Sequence, residues 1–176
     1  MSTAAETLPP VRRDIGVAAF IFTLALVTIL AAWGFQFVGG YVPCKLCLAE
    51  RVPYYIGVPI ALVALVAAWR RAPGWVVRSM LALIAAVFLY GAYLGIYHAG
   101  VEWSWWAGPA DCGAGGGLSD LNAGNLLGSL ENIRIVPCDA ASWRFPAADW
   151  GLSFAGWNAF ISLVIAGIAG WGALSR

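Results

Sequence analysis

Charge is what this sequence has least of. Asp, Glu, Lys and Arg make up 11% of its 176 residues, against about 25% in an ordinary soluble domain. With 61% apolar residues beside so little charge, the chain cannot build a surface that water would solvate. A soluble globular domain is excluded, and the solvent must be lipid. Also lacking are the roughly ten-residue segments of alternating polarity that a membrane β-barrel requires. The glycine-rich stretch Gly113–Gly117 has no Gly-Lys-Ser/Thr after it, which excludes a phosphate-binding loop. No long-range repeat is present, and the length fits one domain.

What is there, first, is four runs without a charged side chain: Ile15–Val38, Val52–Trp69, Ser79–Tyr97 and Leu152–Leu174. A helix needs about 20 apolar residues to cross a hydrocarbon core of about 30 Å. In lipid, each segment must satisfy its own backbone, which selects helices. The expectation is an all-α membrane protein, an antiparallel four-helix transmembrane bundle forming a single domain over 1–176. Pro53 and Pro59 predict a kink in the second span. Gly91, Ala92 and Gly95 predict close helix packing in the third. The first run is too long for a signal-peptide core and has no small-x-small site after it, so it reads as a retained anchor. Tyr41, Val42 and Pro43 do not fit a lipoprotein site at Cys44.

Four spans place both termini on one side, with Arg12, Arg13, Arg70, Arg71, Arg78 and Arg176. The excess of arginine on these short segments assigns that side to the cytoplasm. Trp69 and Trp75 then mark the inner interface, and Trp103, Trp105, Trp106 and Trp150 the outer one. The outer loops run from about 39 to 51 and from about 99 to 151. All four cysteines fall in them, two per loop. In the longer loop, Leu118, Leu121, Leu126, Leu127, Leu130 and Ile133 recur at rough helical spacing, which predicts a short amphipathic helix on the membrane surface.

Cys44-Lys45-Leu46-Cys47 is a C-x-x-C motif. Read as a staple it would contribute about 2 kcal/mol, against about 3.5 for joining Cys112 to Cys138. Stability is thus a poor reason for the first pair, and close spacing points to redox work. For Cys112 and Cys138, staple and redox function both stand. Structural zinc usually takes two closely spaced pairs. The second pair here is far apart and on the oxidising side, so no metal is expected. Cys47, just before the second span, lies near a helix N-terminus that favours its thiolate. Arg51, four residues on, shares its helical face. The alternative for Arg51 is an interfacial side chain that snorkels. Glu50 either pairs with Arg51 or is an idle surface carboxylate. His98, the sole histidine, is either a polar end-group of the third span or a proton donor. Before His98 the spans hold no ionisable Asp, Glu, Lys, Arg or His, which argues against a transporter. A non-catalytic stapled scaffold remains as a rival.

Cys-Lys-Leu-Cys-Leu-Ala-Glu-Arg at 44–51 resembles the C-x-x-C-x-x-E-R signature of the DsbB family of bacterial disulfide bond formation proteins. Cys138 followed by Trp143, then Gly151-Leu152-Ser153 and Trp157-Asn158, is similar to that family as well. The resemblance covers nearly the whole chain. It implies a quinone-dependent thiol oxidase of the bacterial inner membrane with its cysteine loops in the periplasm. A reduced DsbA-like thioredoxin-fold protein would attack Cys112. The Cys112–Cys138 pair would then pass electrons to Cys44 and Cys47, and Cys47 beside Arg51 would deliver them to a quinone, ubiquinone before menaquinone. The resemblance places His98 near the quinone, with Glu50 beside Arg51. It implies a monomer, with the lipid bilayer and the quinone pool as partners and no nucleic acid. A vitamin K epoxide reductase-like protein is the runner-up, and the Glu-Arg after the C-x-x-C speaks against it.

Overall fold

The computed structural model describes residues 10–109, 134–147 and 151–175. Helix α1 spans Pro10–Phe37. Strand β1, Tyr41–Val42, leads into the short helix α2, Lys45–Ala49, and then α3, Val52–Trp69. Helix α4 is Gly74–Glu102. Strands β2 (Arg134–Ile135), β3 (Arg144–Phe145) and β4 (Leu152–Ser153) precede α5, Phe154–Leu174. The four long helices are each long and apolar enough to cross a membrane. Each packs against the next in the chain, and α5 closes the ring against α1.

The buried faces show why these segments form a bundle in lipid. Ala18, Ile21, Ala25 and Ile29 of α1 are buried, as are Ala61, Ala64 and Ala68 of α3. In α5 the inner stripe is Ala155, Ala159, Ser162, Ala166, Ala169 and Gly172. Small side chains at helical spacing let backbones approach, which supplies the packing that drives association in a bilayer. The contact is tightest where Gly95 of α4 meets Ala159 of α5. A Cβ on Gly95 would lie 2.7 Å from the Ala159 backbone nitrogen. Phe88, Leu81, Ile84 and Ile165 fill the interior, while many other large apolar side chains point outward, including Phe20, Leu30, Val63, Leu89, Tyr93 and Trp171.

The helices outrun the charge-free segments. Helix α1 takes in Arg12 and Arg13, and α4 takes in Arg78 and continues past His98 to Glu102. A charged residue near the membrane surface ends a charge-free run but not a helix, because its long stem lets the head reach water. Conversely, Leu152 and Ser153 belong to β4, paired with β3, and Ser153 caps α5 by accepting from the Gly156 N–H at 3.2 Å. Pro53 sits in the first turn of α3, where its missing N–H costs nothing. The helix continues through Pro59 as one element. The expected surface helix at 118–133 and the Gly113–Gly117 stretch lie outside the described residues.

Two features position the outer end. Gly40 adopts φ 69°, the left-handed region that favours glycine, and turns the chain out of α1 into β1. Strand β1 then pairs in parallel with β2, Tyr41 opposite Arg134 and Val42 opposite Ile135. This ties the C-x-x-C loop directly to the segment that carries Cys138.

Candidate functional site

Cys44 is the N-cap of α2, with extended backbone (φ −74°, ψ 173°), and its Sγ accepts from the Cys47 N–H at 3.2 Å. The helix therefore starts earlier than expected, and the sulfur at its N-terminus is Cys44 rather than Cys47. Glu50 and Arg51 keep right-handed helical angles, so α2 runs almost without a break into α3. Both thiols are free, with their Sγ atoms 2.7 Å apart. Only a small movement separates them from a disulfide bond of about 2.05 Å. The Cys44 thiol is held below its usual range. Its hydrogen bond with Cys47 is the largest cause, burial opposes it, and His98 and the Cys47 backbone N–H add to it.

His98 stands against the buried side of this pair. It is 1% exposed, with Nε2 3.8 Å from Cys44 Sγ. Its Nδ1–H donates to Glu50 Oε1 at 2.7 Å. Glu50, 7% exposed, thus turns to His98 and not to its neighbour Arg51. Successive helical residues point about 100° apart, and that angle sends the two charges to different places.

Arg51 faces a cavity of about 390 Å³ bounded by α1, the α2–α3 segment and α5. Its Nη1 donates to Gln36 Oε1, and its Nη2 lies 3.4 Å from the Ala32 carbonyl. The guanidinium is therefore fixed by α1. Cys47 and Glu50 line the same cavity, and His98 does not. Aromatic rings form one wall, with Phe154 4.9 Å from Phe35 and stacked on Trp143 at 4.8 Å. Asn158 reaches the cavity from α5, its Oδ1 accepting from the Tyr54 hydroxyl at 2.9 Å. The Asn158 Nδ2 is buried with no hydrogen-bond partner among the described residues. A donor left unpaired in an apolar wall costs about 1–3 kcal/mol, and a bound acceptor would remove that cost.

The structure therefore brings together Cys44, Cys47, Glu50, Arg51 and His98, with the two sulfurs facing different neighbours. Cys138 is buried and disulfide-bonded. Val136, two residues before it, lines the cavity. Cys112 lies outside the described residues. The sequence reading passed over Gln36 and Tyr54, and it named Asn158 only within the family resemblance, with no role in the site. Their signal was available: neutral polar side chains inside spans, where polar groups usually face the bundle interior.

A family model described as "Disulfide bond formation protein DsbB" matches residues 13–172. Disulfide bond formation protein B of Methylococcus capsulatus is 32% identical over 157 residues, which covers 86% of this chain and 87% of that protein. The uncharacterized protein RP370 of Rickettsia prowazekii is 29% identical over 82 residues, 47% of this chain and 44% of that protein. No solved structure matches.

Proposed function

The chain belongs to the DsbB family of disulfide bond formation proteins, and from that premise we propose that it oxidises a DsbA-like dithiol protein and delivers the two electrons to a membrane quinone. It is a disulfide-forming membrane protein with four apolar helices. The proposal puts it in a bacterial inner membrane as one domain, with both termini cytoplasmic and the cysteine loops periplasmic. The arginine-rich termini and the α3–α4 turn support that orientation.

The partner's thiolate attacks the Cys112–Cys138 disulfide at Cys112, and the partner's second thiol resolves the mixed disulfide. The partner leaves oxidised, and Cys112 and Cys138 are a dithiol. Cys138 then attacks Cys44 of the closed C-x-x-C, with Cys47 leaving as a thiolate. Cys112 attacks Cys138 in turn, restoring their disulfide and releasing Cys44. The Cys44–Cys47 pair then holds both electrons, as in the reduced state described above.

The cavity fits a quinone head on its own observations. Its volume of about 390 Å³ lies in the usual range for small-ligand sites, about 300–1,000 Å³. Its walls are apolar, and Arg51 and Asn158 offer it donors. A bound quinone supplies a two-electron, two-proton acceptor, with ubiquinone the first candidate and menaquinone the second. Arg51 holds the Cys47 thiolate and an acceptor oxygen by charge. Asn158 donates to an acceptor oxygen through Nδ2. His98, steadied by Glu50, holds a proton on the Cys44 side as Cys44 and Cys47 close to a disulfide.

The observation that carries this reading is that Cys47, a fixed guanidinium and an unpaired amide share one apolar cavity. The test is quinone reduction by the purified protein in detergent, with a reduced DsbA-like protein as donor and each quinone in turn. Turnover is expected in wild type, with at least a hundredfold loss in Cys47→Ser and in Cys112→Ser. Absence of turnover with either quinone, while both disulfides stay inert to the donor, would return the chain to a stapled scaffold.

A further inference from the structure

Spacing alone gave the C-x-x-C no partners for a metal, because no second close pair of cysteines exists. The fold supplies a third ligand from another helix. Cys44 Sγ, Cys47 Sγ and His98 Nε2 all lie within 4.8 Å of one another. Around a tetrahedral zinc, with bonds of about 2.3 Å to sulfur and 2.0–2.1 Å to nitrogen, donor atoms stand roughly 3.5–3.8 Å apart. The gap from Cys44 Sγ to His98 Nε2 is already 3.8 Å. The two sulfurs, 2.7 Å apart, would need to part by about 1 Å to reach that spacing. Cys47 borders the cavity, so it has room to move.

The support behind the imidazole points the same way. A ligating histidine almost always donates its other ring N–H to a carboxylate or carbonyl, which fixes the tautomer and raises the basicity of the ligating nitrogen. Here His98 Nδ1 donates to Glu50 Oε1 at 2.7 Å, with both residues buried. That bond leaves Nε2 on the sulfur side, where it can ligate a metal once any proton on it is released. The cavity beside Cys47 leaves space for a fourth, exchangeable ligand. The geometry points to a binding site for one thiophilic divalent cation of the zinc class, formed by Cys44, Cys47 and His98 while the two thiols are reduced. Two thiolates with an imidazole suit such ions, whereas magnesium and calcium prefer oxygen ligands. Binding involves no electron transfer. Any protons still on the two sulfurs and on His98 Nε2 go to solvent, and two metal–sulfur bonds and one metal–nitrogen bond form. A disulfide offers no thiolate, so oxidation and metal binding exclude each other. The ion therefore acts as a reversible brake that traps the reduced pair, and the site does not depend on the identity of the electron acceptor.

The test uses the full chain in detergent with Cys112→Ser and Cys138→Ser, so that only the C-x-x-C can hold a metal. The protein is reduced, freed of reductant and titrated with cobalt(II). The expected result is one cobalt per chain, with the intense visible bands of tetrahedral coordination and a sulfur-to-cobalt charge-transfer band. Zinc should displace it. The same protein with the pair oxidised should show none of these bands, a control that needs no further substitution. Glu50→Gln should weaken binding by about 10- to 100-fold, and His98→Gln by more. Retention of helical content and of a single elution peak establishes that a variant is folded. Missing bands in the reduced protein would overturn the site, as would binding that persists unchanged in His98→Gln or after oxidation. None of these readouts involves quinone turnover, so failure here and failure of the oxidase reading are distinguishable.

Discussion

Arg51 and Gln36 form a pair in which one side chain acts through the other, and that makes a sharp prediction. Gln36 of α1 accepts from the Arg51 Nη1, and the Ala32 carbonyl lies near Nη2. A hydrogen bond from a charged donor contributes about 1.5–3 kcal/mol. If Arg51 makes one such bond to the bound quinone, Arg51→Ala raises the quinone KM by about 10- to 150-fold. Gln36→Leu leaves the guanidinium in place and frees its orientation. The Ala32 carbonyl still lies near Nη2, so only part of the orientation is lost and KM should rise less, by about 2- to 10-fold. Gln36 also lines the cavity; if it acts on the quinone only through Arg51, Gln36→Leu should add nothing once Arg51 is alanine. The assay is initial quinol formation against quinone concentration, with the reduced protein donor saturating and its own KM measured in parallel. Unchanged quinone KM in Arg51→Ala refutes the role of Arg51. Full additivity of the two substitutions refutes the coupling.

Two further predictions concern the bundle. Gly95→Val should destabilise the protein by about 1–3 kcal/mol, because a Cβ there would lie 2.7 Å from backbone of α5, whereas Gly167→Val, with open space around it, should change little; equal thermal midpoints in detergent would count against the α4–α5 contact. A Cβ at Gly57 would collide with the Phe88 ring, which is fully buried and set edge-on to Tyr54, so Gly57→Ala should lower the midpoint and Phe88→Leu should restore most of the loss; no rescue would place the strain elsewhere.

The number of spans and the cysteine motif were legible because each depends on local composition. Span ends were less so. Arg12, Arg13 and Arg78 lie near the starts of α1 and α4, so counting charge-free residues shortens both helices. The capping sulfur was misassigned for a related reason. The second charge-free run begins at Val52, but the helical backbone already begins at Lys45. The partner of Glu50 was hidden by distance in the chain, since His98 comes from a different helix. Adjacency in sequence suggested Arg51, and helical rotation points the two side chains apart. Gln36 and Asn158 were given no site role because a search for charge passes over neutral polar groups, whose importance appears only once the cavity between α1 and α5 is known.

The seams of the bundle are unequal. Helices α4 and α5 share the most extensive contact, with backbone nearly touching at Gly95 and Ala159, while α1 and α5 share the least of the four seams. The cavity borders that looser seam, and Val27 of α1 is both half-exposed on the outer face and part of the cavity wall. If ligands enter along that seam, their path runs sideways through the acyl chains of a bilayer instead of upward from water. Oil solubility would then be the first criterion of selection, and a molecule without an apolar tail would not reach the cavity by that route, whatever its head group.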